Sequence, residues 1–191
     1  MRRGEIKFAR AFIVVRKVRD IAVMLIPLTS GLFAKVDKED YESLKLLRWH
    51  ASKSGPLTYA RARIRCLSTG KLLRIYMHRI LLRPSEGLVV DHINHDTLDN
   101  RRQNLRVVTR RQNQANMRKC SKATSSKYKG VSWDKSRNKW MAALGPKVEG
   151  KTRRIHLGRF DREEDAALAY NKGASALFGV FAKLNKVLIP E

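Results

Sequence analysis

Apolar and polar positions along this chain fall into three blocks behind a leader. From Ile26 the segment IPLTSGLFAKVDKEDYESLKLLRWH gives a short apolar strand and then an acidic turn at Asp37, Glu39 and Asp40. Carboxylates favour a helix start, because the first backbone N–H groups of a helix are unpaired and make that end positive. The helix is expected to carry Tyr41, Leu44, Leu47 and Trp49 on one side. TYARARIRC and KLLRIYMHRILLR then alternate around Ser68, Thr69 and Gly70, which predicts a hairpin running into a helix near Met77. Leucine, isoleucine and tyrosine are expected inside this block and its arginines outside.

The second block reads strand, loop, strand, helix. LVVDHIN is short and β-branched, DTLDN is turn chemistry, and Leu105, Val107 and Val108 make the second strand. Thr109 can cap a helix holding Asn113 and Asn116. A polar linker, KCSKATSS, leads to the third block. There YKGVSWDKSRNKWMAALG and KTRRIHLGRF predict strands, with turns near residues 136–138 and near Gly150. DREEDAALAYNKGASALFG predicts an amphipathic helix with Asp161, Glu163 and Glu164 in its first turn. Its apolar face (Ala166, Ala167, Ala169, Tyr170, Ala174, Leu177) is alanine-rich, so helix and sheet can approach closely.

Charge narrows the function. The 191 residues carry a formal charge of +24. Such a surplus calls for a polyanionic partner, and nucleic acid is favoured over a membrane or an acidic protein because no basic amphipathic segment stands out. Cys66 and Cys120 form no CxxC pair, which fits a reducing, intracellular setting and excludes a cysteine-rich zinc finger. The apolar runs of the N-terminus are broken by Arg16, Lys17, Arg19 and Asp20, leaving neither a signal peptide nor a membrane span.

The stretch DHINHDTLDNRRQNLRVVTRRQNQAN carries the chemistry. Phosphodiester hydrolysis needs a base for water and positive charge for the anionic transition state and the leaving 3′ oxygen. Asp91 is a hard ligand suited to Mg²⁺ or Mn²⁺, and an asparagine oxygen can serve beside it. Water and a DNA phosphate would complete the coordination. His92, with an ordinary pKa of about 6.5, offers a neutral imidazole at pH 7. A backbone carbonyl on its other nitrogen is expected to set the tautomer. Adjacent strand residues point to opposite faces, so Asp91 and His92 can share a site only where the strand ends or bends.

This stretch resembles the HNH motif of phage and intron-encoded homing endonucleases, the ββα-metal class. The resemblance implies Asp91 and Asn113 as metal ligands, His92 as general base and Asn104 as the brace of the loop between the strands. His78 in YMHRILL and Asn116 are possible accessories. His95 and Asp96 read as loop residues, and Asp99 and Asn100 as turn formers. YMHRILL and VDKEDYESLKLLRWH also resemble the leading part of that group.

Residues 128–185 resemble the AP2 DNA-binding domain through YKGVSW, KWMAAL, IHLGRF, EEDAALAYNKGA and FGVFAKLN. That likeness implies a three-stranded sheet in the major groove of double-stranded DNA, a fit that groove width allows. The sheet would offer Lys129, Trp133, Lys135, Arg137, Lys139, Arg153, Arg154 and His156, mostly to phosphates, with Trp140 assigned to the core.

The fold expected is α+β. Residues 1–25 are a leader, or a translated upstream extension if Met24 is the native start. Residues 26–75 form a small α+β segment that contacts DNA, 76–118 a ββα-metal nuclease core, 119–127 a linker, and 128–186 an AP2-like sheet packed on one helix. The function expected is a metal-dependent, site-specific DNA endonuclease in a bacterial or phage-infected cell, its oligomeric state left open between a monomer and a larger assembly. Removing residues 121–191 is expected to cost target binding and spare the nuclease fold. The alternatives are a non-catalytic sequence-specific DNA-binding regulator, which intact Asp91, His92 and Asn113 argue against, and an RNA-binding protein, which the AP2 likeness disfavours.

Overall fold

The computed structural model describes residues 23–119, 125–145, 147–148 and 151–188. Nearly all of the leader, most of the KCSKATSS linker with Cys120, and the turn expected at Gly150 lie outside them.

The chain opens with an antiparallel hairpin of β1 (Val23–Pro27) and β2 (Phe33–Asp37), two strands where the pattern suggested one. The turn needs Gly31, whose φ of +77° is costly for a residue with a Cβ; its N–H donates to Leu28 O at 3.1 Å. Ala34 and Val36 face inward at the two-residue period of a strand. α1 (Lys38–Leu44) stops earlier than expected. The Trp49 indole donates to Leu44 O at 2.7 Å, taking up one of the carbonyls a helix end leaves free. Trp49 therefore lies beyond the helix and starts β3 (Trp49–Ser54).

β3, β4 (Leu57–Arg65) and β5 (Leu72–Tyr76) form an antiparallel sheet in that order. WHASKS is too small and polar to read as a strand, yet it pairs along its whole length with β4. Leu28, Leu44 and Leu81 are buried as expected, but in the sheet itself the inward positions are Ala60 and Ala62, whereas Leu72 and Leu73 are exposed. Trp49 stands opposite Ala62, and the indole fills the volume the alanine leaves. α2 (Met77–Leu82) follows and ends at Arg83, which is left-handed and precedes Pro84.

β6 (Leu88–His92) and β7 (Leu105–Thr109) pair antiparallel and lead into α3 (Arg110–Asn116). Thr109 caps α3 in a reciprocal box with Gln112, an arrangement worth about 1 kcal/mol. One apolar core joins the first two blocks, running through Ile26, Val36, Leu44, Trp49, Met77 and Leu105.

In the last block β8 (Val131–Asp134), β9 (Lys139–Leu144) and β12 (Ile155–Phe160) form a sheet in the order β12-β9-β8. The short strands β10 (Lys147–Val148) and β11 (Lys151–Thr152) pair between β9 and β12. α4 (Glu163–Phe178) packs on the sheet through Ala166, Ala167, Tyr170 and Ala174. Leu177 is 38% exposed rather than buried, and Asp161 precedes the cap, so Asp165 completes the acidic first turn. The approach is close: a Cβ on Gly130 would lie 2.0 Å from the Tyr170 ring. After a short 3-10 turn (Gly179–Phe181) the tail runs back beside α3, and Lys183 N–H donates to Ala115 O at 3.1 Å. Asn185 secures that return by bonding Asn171 and the main chain of Lys129.

Candidate active site

Asp91 and His92 close β6, where the strand ends, and both are buried, at 6% and 5% exposure. Asp91 faces Arg106 across the β6–β7 register. The guanidinium reaches Oδ2 of Asp91 through Nε at 2.9 Å and Nη2 at 2.8 Å. Its Nη1 donates to Val180 O at 2.9 Å, and the group lies 4.7 Å from the Phe181 ring centre. Nδ2 of Asn116 lies 3.0 and 2.9 Å from Oδ1 and Oδ2 of Asp91 and 3.4 Å from His92 O. Asn113 lies one turn earlier on α3 and is half-buried.

His92 is kept neutral chiefly by burial, which pushes its pKa down, although Asn100, Asp91, Asp96 and Asp99 pull the other way. Its Nε2 lies 3.5 Å from Oδ1 of Asn100. Since an amide oxygen only accepts, this contact favours the proton on Nε2 and leaves Nδ1 as the basic nitrogen. The ring's hydrogen-bond neighbour among the described residues is this side-chain amide, where a backbone carbonyl was expected from sequence. His78 meets His92 edge-on at 5.2 Å and stacks on Tyr76 at 5.5 Å, with Tyr59 closing the cluster. Burial, with help from His92 and Arg79, pushes His78 down to about 3.

The loop between the strands is tied down at several points. Asn104 donates to Asp99 O at 2.7 Å and accepts from Asn94 N at 3.0 Å. Asp99 and Asn100 do more than form a turn: both are fully buried, Asp99 holds Arg101 and Asn94, and Asn100 reaches His92. Arg102 grips Asp40 of α1 through two bonds at 2.8 and 2.7 Å, while its N–H donates to Asp37. The carboxylates that read as a helix-start signal therefore also clamp the active-site loop. Lys35 pairs with Asp96 at 3.0 Å. His95 has a φ of +65°, and its Nε2 is buried without a hydrogen-bond partner among the described residues.

A hard divalent cation fits this donor set. Oδ1 of Asp91 is free of the Arg106 bonds and, among the described residues, accepts only from Nδ2 of Asn116, so a cation would take the place of that N–H, and α3 also brings Asn113, whose amide oxygen is a hard donor. Three oxygens already converge on the Asn116 amide, two from Asp91 and one from the His92 main chain. Among the described residues no three of His, Cys, Asp and Glu are placed to hold a metal ion together. A cation here would keep water and phosphate oxygens as most of its ligands.

On the C-terminal sheet, Val131, Ala142 and Leu144 face α4, and the two-residue period puts Ser132, Asp134, Lys139, Met141, His156 and Arg159 on the open side. His156 there is exposed, as are Arg153 and Arg154 ahead of β12 and Lys135 and Arg137 in the β8–β9 turn. Lys139 pairs with Asp161 at 3.0 Å. Trp133 is placed differently from the expectation: it shares a face with Val131 and packs edge-on against Trp140 at 4.9 Å, on the helix side. Lys129 also departs from it. Its ammonium points to the nuclease block and donates to Ala115 O and Met117 O at 2.7 and 2.6 Å. Arg159, not singled out in the sequence, holds Asp134 at 2.8 Å on the open face.

Residues 83–115 match the HNH endonuclease family, and residues 126–179 match the AP2 domain. The chain is also 35% identical over 162 residues to an uncharacterized HNH endonuclease of Acanthamoeba polyphaga mimivirus, covering 82% of this chain and 76% of that one. The chain belongs to the HNH endonuclease family. It is a DNA-cleaving hydrolase that carries an AP2 DNA-binding domain. No solved structure matches it. Among the described residues no helix is long and apolar enough to cross a membrane.

Proposed function

We propose that this enzyme is a metal-dependent, site-specific endonuclease that cuts double-stranded DNA at Asp91 and His92 while the AP2 sheet holds the target. The observation that carries this reading is a buried, neutral imidazole beside a carboxylate and a helix-borne asparagine. Nδ1 of His92 takes a proton from water as the water oxygen bonds to phosphorus, and the bond from phosphorus to the 3′ oxygen breaks. Mg²⁺ or Mn²⁺, held by Asp91 with Asn113 or Asn116, would supply positive charge to the phosphate and to the leaving oxygen. Asn104 holds the loop in register, and His78 walls off one side of His92. Lys135, Arg137, Lys139, Arg153, Arg154, His156 and Arg159 supply the sheet's contacts to DNA, mostly at phosphates. The mimivirus relative supports a viral setting within a cell.

The test is cleavage of supercoiled plasmid carrying a target selected from a randomised DNA pool, with Mg²⁺ or Mn²⁺. Wild type should nick it, and His92→Ala should be slower by about 10²–10⁴-fold while still binding the target. Absence of metal-dependent nicking above the variant would end the His92 mechanism.

A further inference from the structure

At the junction of the two modules lies a cleft of about 500 Å³ lined by Arg118, Lys119, Lys127, Lys129, Lys183 and Lys186. Among the described residues Glu164 is the one acidic residue in its lining. The walls are fixed from within. Lys119 donates to Ser126 O and Tyr128 O, and Lys129 to the carbonyls that end α3. Among the described residues Arg118, Lys183 and Lys186 have no carboxylate at ion-pairing distance. Cations gathered in a concavity repel one another, and burial together with Lys183 pushes the Lys129 ammonium down to about 8. Such a surface is completed by an anion.

Its position says which anion. Arg118 follows two residues after Asn116, the asparagine on Asp91, and Lys183 is bonded through its N–H to Ala115. His95 of the active-site loop also senses Lys183 and Arg118, which with burial push it down to about 4. On the far side the cleft borders Tyr128 and Lys129, which lead into the AP2 sheet. DNA bound at both modules would run beside this junction, and a chain of phosphates complements its charge better than the scattered carboxylates of an acidic protein.

We infer that the junction cleft seats the phosphate backbone of the DNA segment between the cleavage position and the stretch bound by the AP2 sheet, through Arg118, Lys183 and Lys186. The cleft rests on the endonuclease reading only for where the cut falls. Each phosphate neutralised releases condensed counterions, so each contact adds about 0.9 to the slope of log K against log salt.

The experiment uses the full chain and its selected duplex without divalent metal. It compares wild type with an R118Q/K183Q/K186Q variant and with a charge-retaining R118K/K183R/K186R variant. The glutamine variant should lose about 2–3 from the salt slope. In ethylation interference it should lose phosphates between the cut and the AP2 footprint but keep those within that footprint. The charge-retaining variant should restore both. An unchanged slope and interference pattern would overturn the cleft. If the triple variant fails to fold, exposed K186Q alone should lose about 0.9, and no loss there also overturns it. Because binding is read without metal, a lost slope from a chain that never cuts keeps the cleft and removes the nuclease mechanism. Cutting with an unchanged slope does the reverse.

Discussion

The nuclease block and the AP2 sheet of this chain use charge in opposite ways. At the ββα site the carboxylate, imidazole and asparagine are buried, and Asp91 is held by Arg106 and Asn116. On the AP2 sheet the cations are exposed, and pairs such as Lys139 with Asp161 sit in solvent. Buried charge is expensive to leave unpaired, so each group at the site is fixed by a neighbour. Exposed pairs are worth little and exchange readily for phosphate. Catalysis needs the first arrangement, and salt-sensitive binding needs the second.

That contrast is broken or sharpened most strongly at Asp91. Asp91→Ala removes the partner of a largely buried guanidinium, and thermal or urea unfolding should show a loss of about 3–5 kcal/mol, with plasmid nicking abolished. A normal melting curve would mean that Arg106 finds another partner. A smaller effect is expected at the ring beneath that guanidinium. Phe181→Ala should slow nicking by about 2- to 30-fold at most and leave the AP2 footprint in place, since a cation over a ring is worth about 0.5–2 kcal/mol. An unaltered single-turnover rate would disconnect the tail from the site.

The histidine cluster gives a pH test. His78 is neutral in the fold down to about 3, whereas the unfolded chain binds its proton near pH 6.5. Stability from this group is therefore intact above about 6.5 and falls as pH drops toward 3, by up to about 1.4 kcal/mol per pH unit. His78→Phe should flatten that decline in denaturant titrations, and an equal slope would mean that His78 charges freely. The smallest effect belongs to the sheet. Lys139→Gln should change stability by well under 1 kcal/mol and lower the salt slope of binding by about 0.9. A large stability loss there would erase the distinction between the two regions.

Much of the site was legible because its signals are local. The DH pair at a strand end, the turn chemistry of DTLDN and the cap at Thr109 all lie within one short stretch. What stayed hidden depends on distant chain. Arg106 becomes the partner of Asp91 only through β-strand register, and its grip on Val180 joins residues far apart in sequence. Asp40 reads as a helix-start charge until α1 is packed against Arg102. β2 and β3 were missed because FAKVD and WHASKS lack a strong apolar alternation, and Lys129 was misplaced because one lysine among many carries no sign of its direction.

The AP2 match ends at residue 179, but the chain still has active-site work to do beyond it. Val180 and Phe181 hold Arg106, and the main chain of Lys183 is fastened to α3. A chimera that grafts another DNA-binding module at the domain boundary, or a truncation of residues 121–191, would thus take part of the nuclease away with the piece removed. If the open face of the sheet reads the target as proposed, retargeting would exchange that face while the native tail through Asn185 is kept.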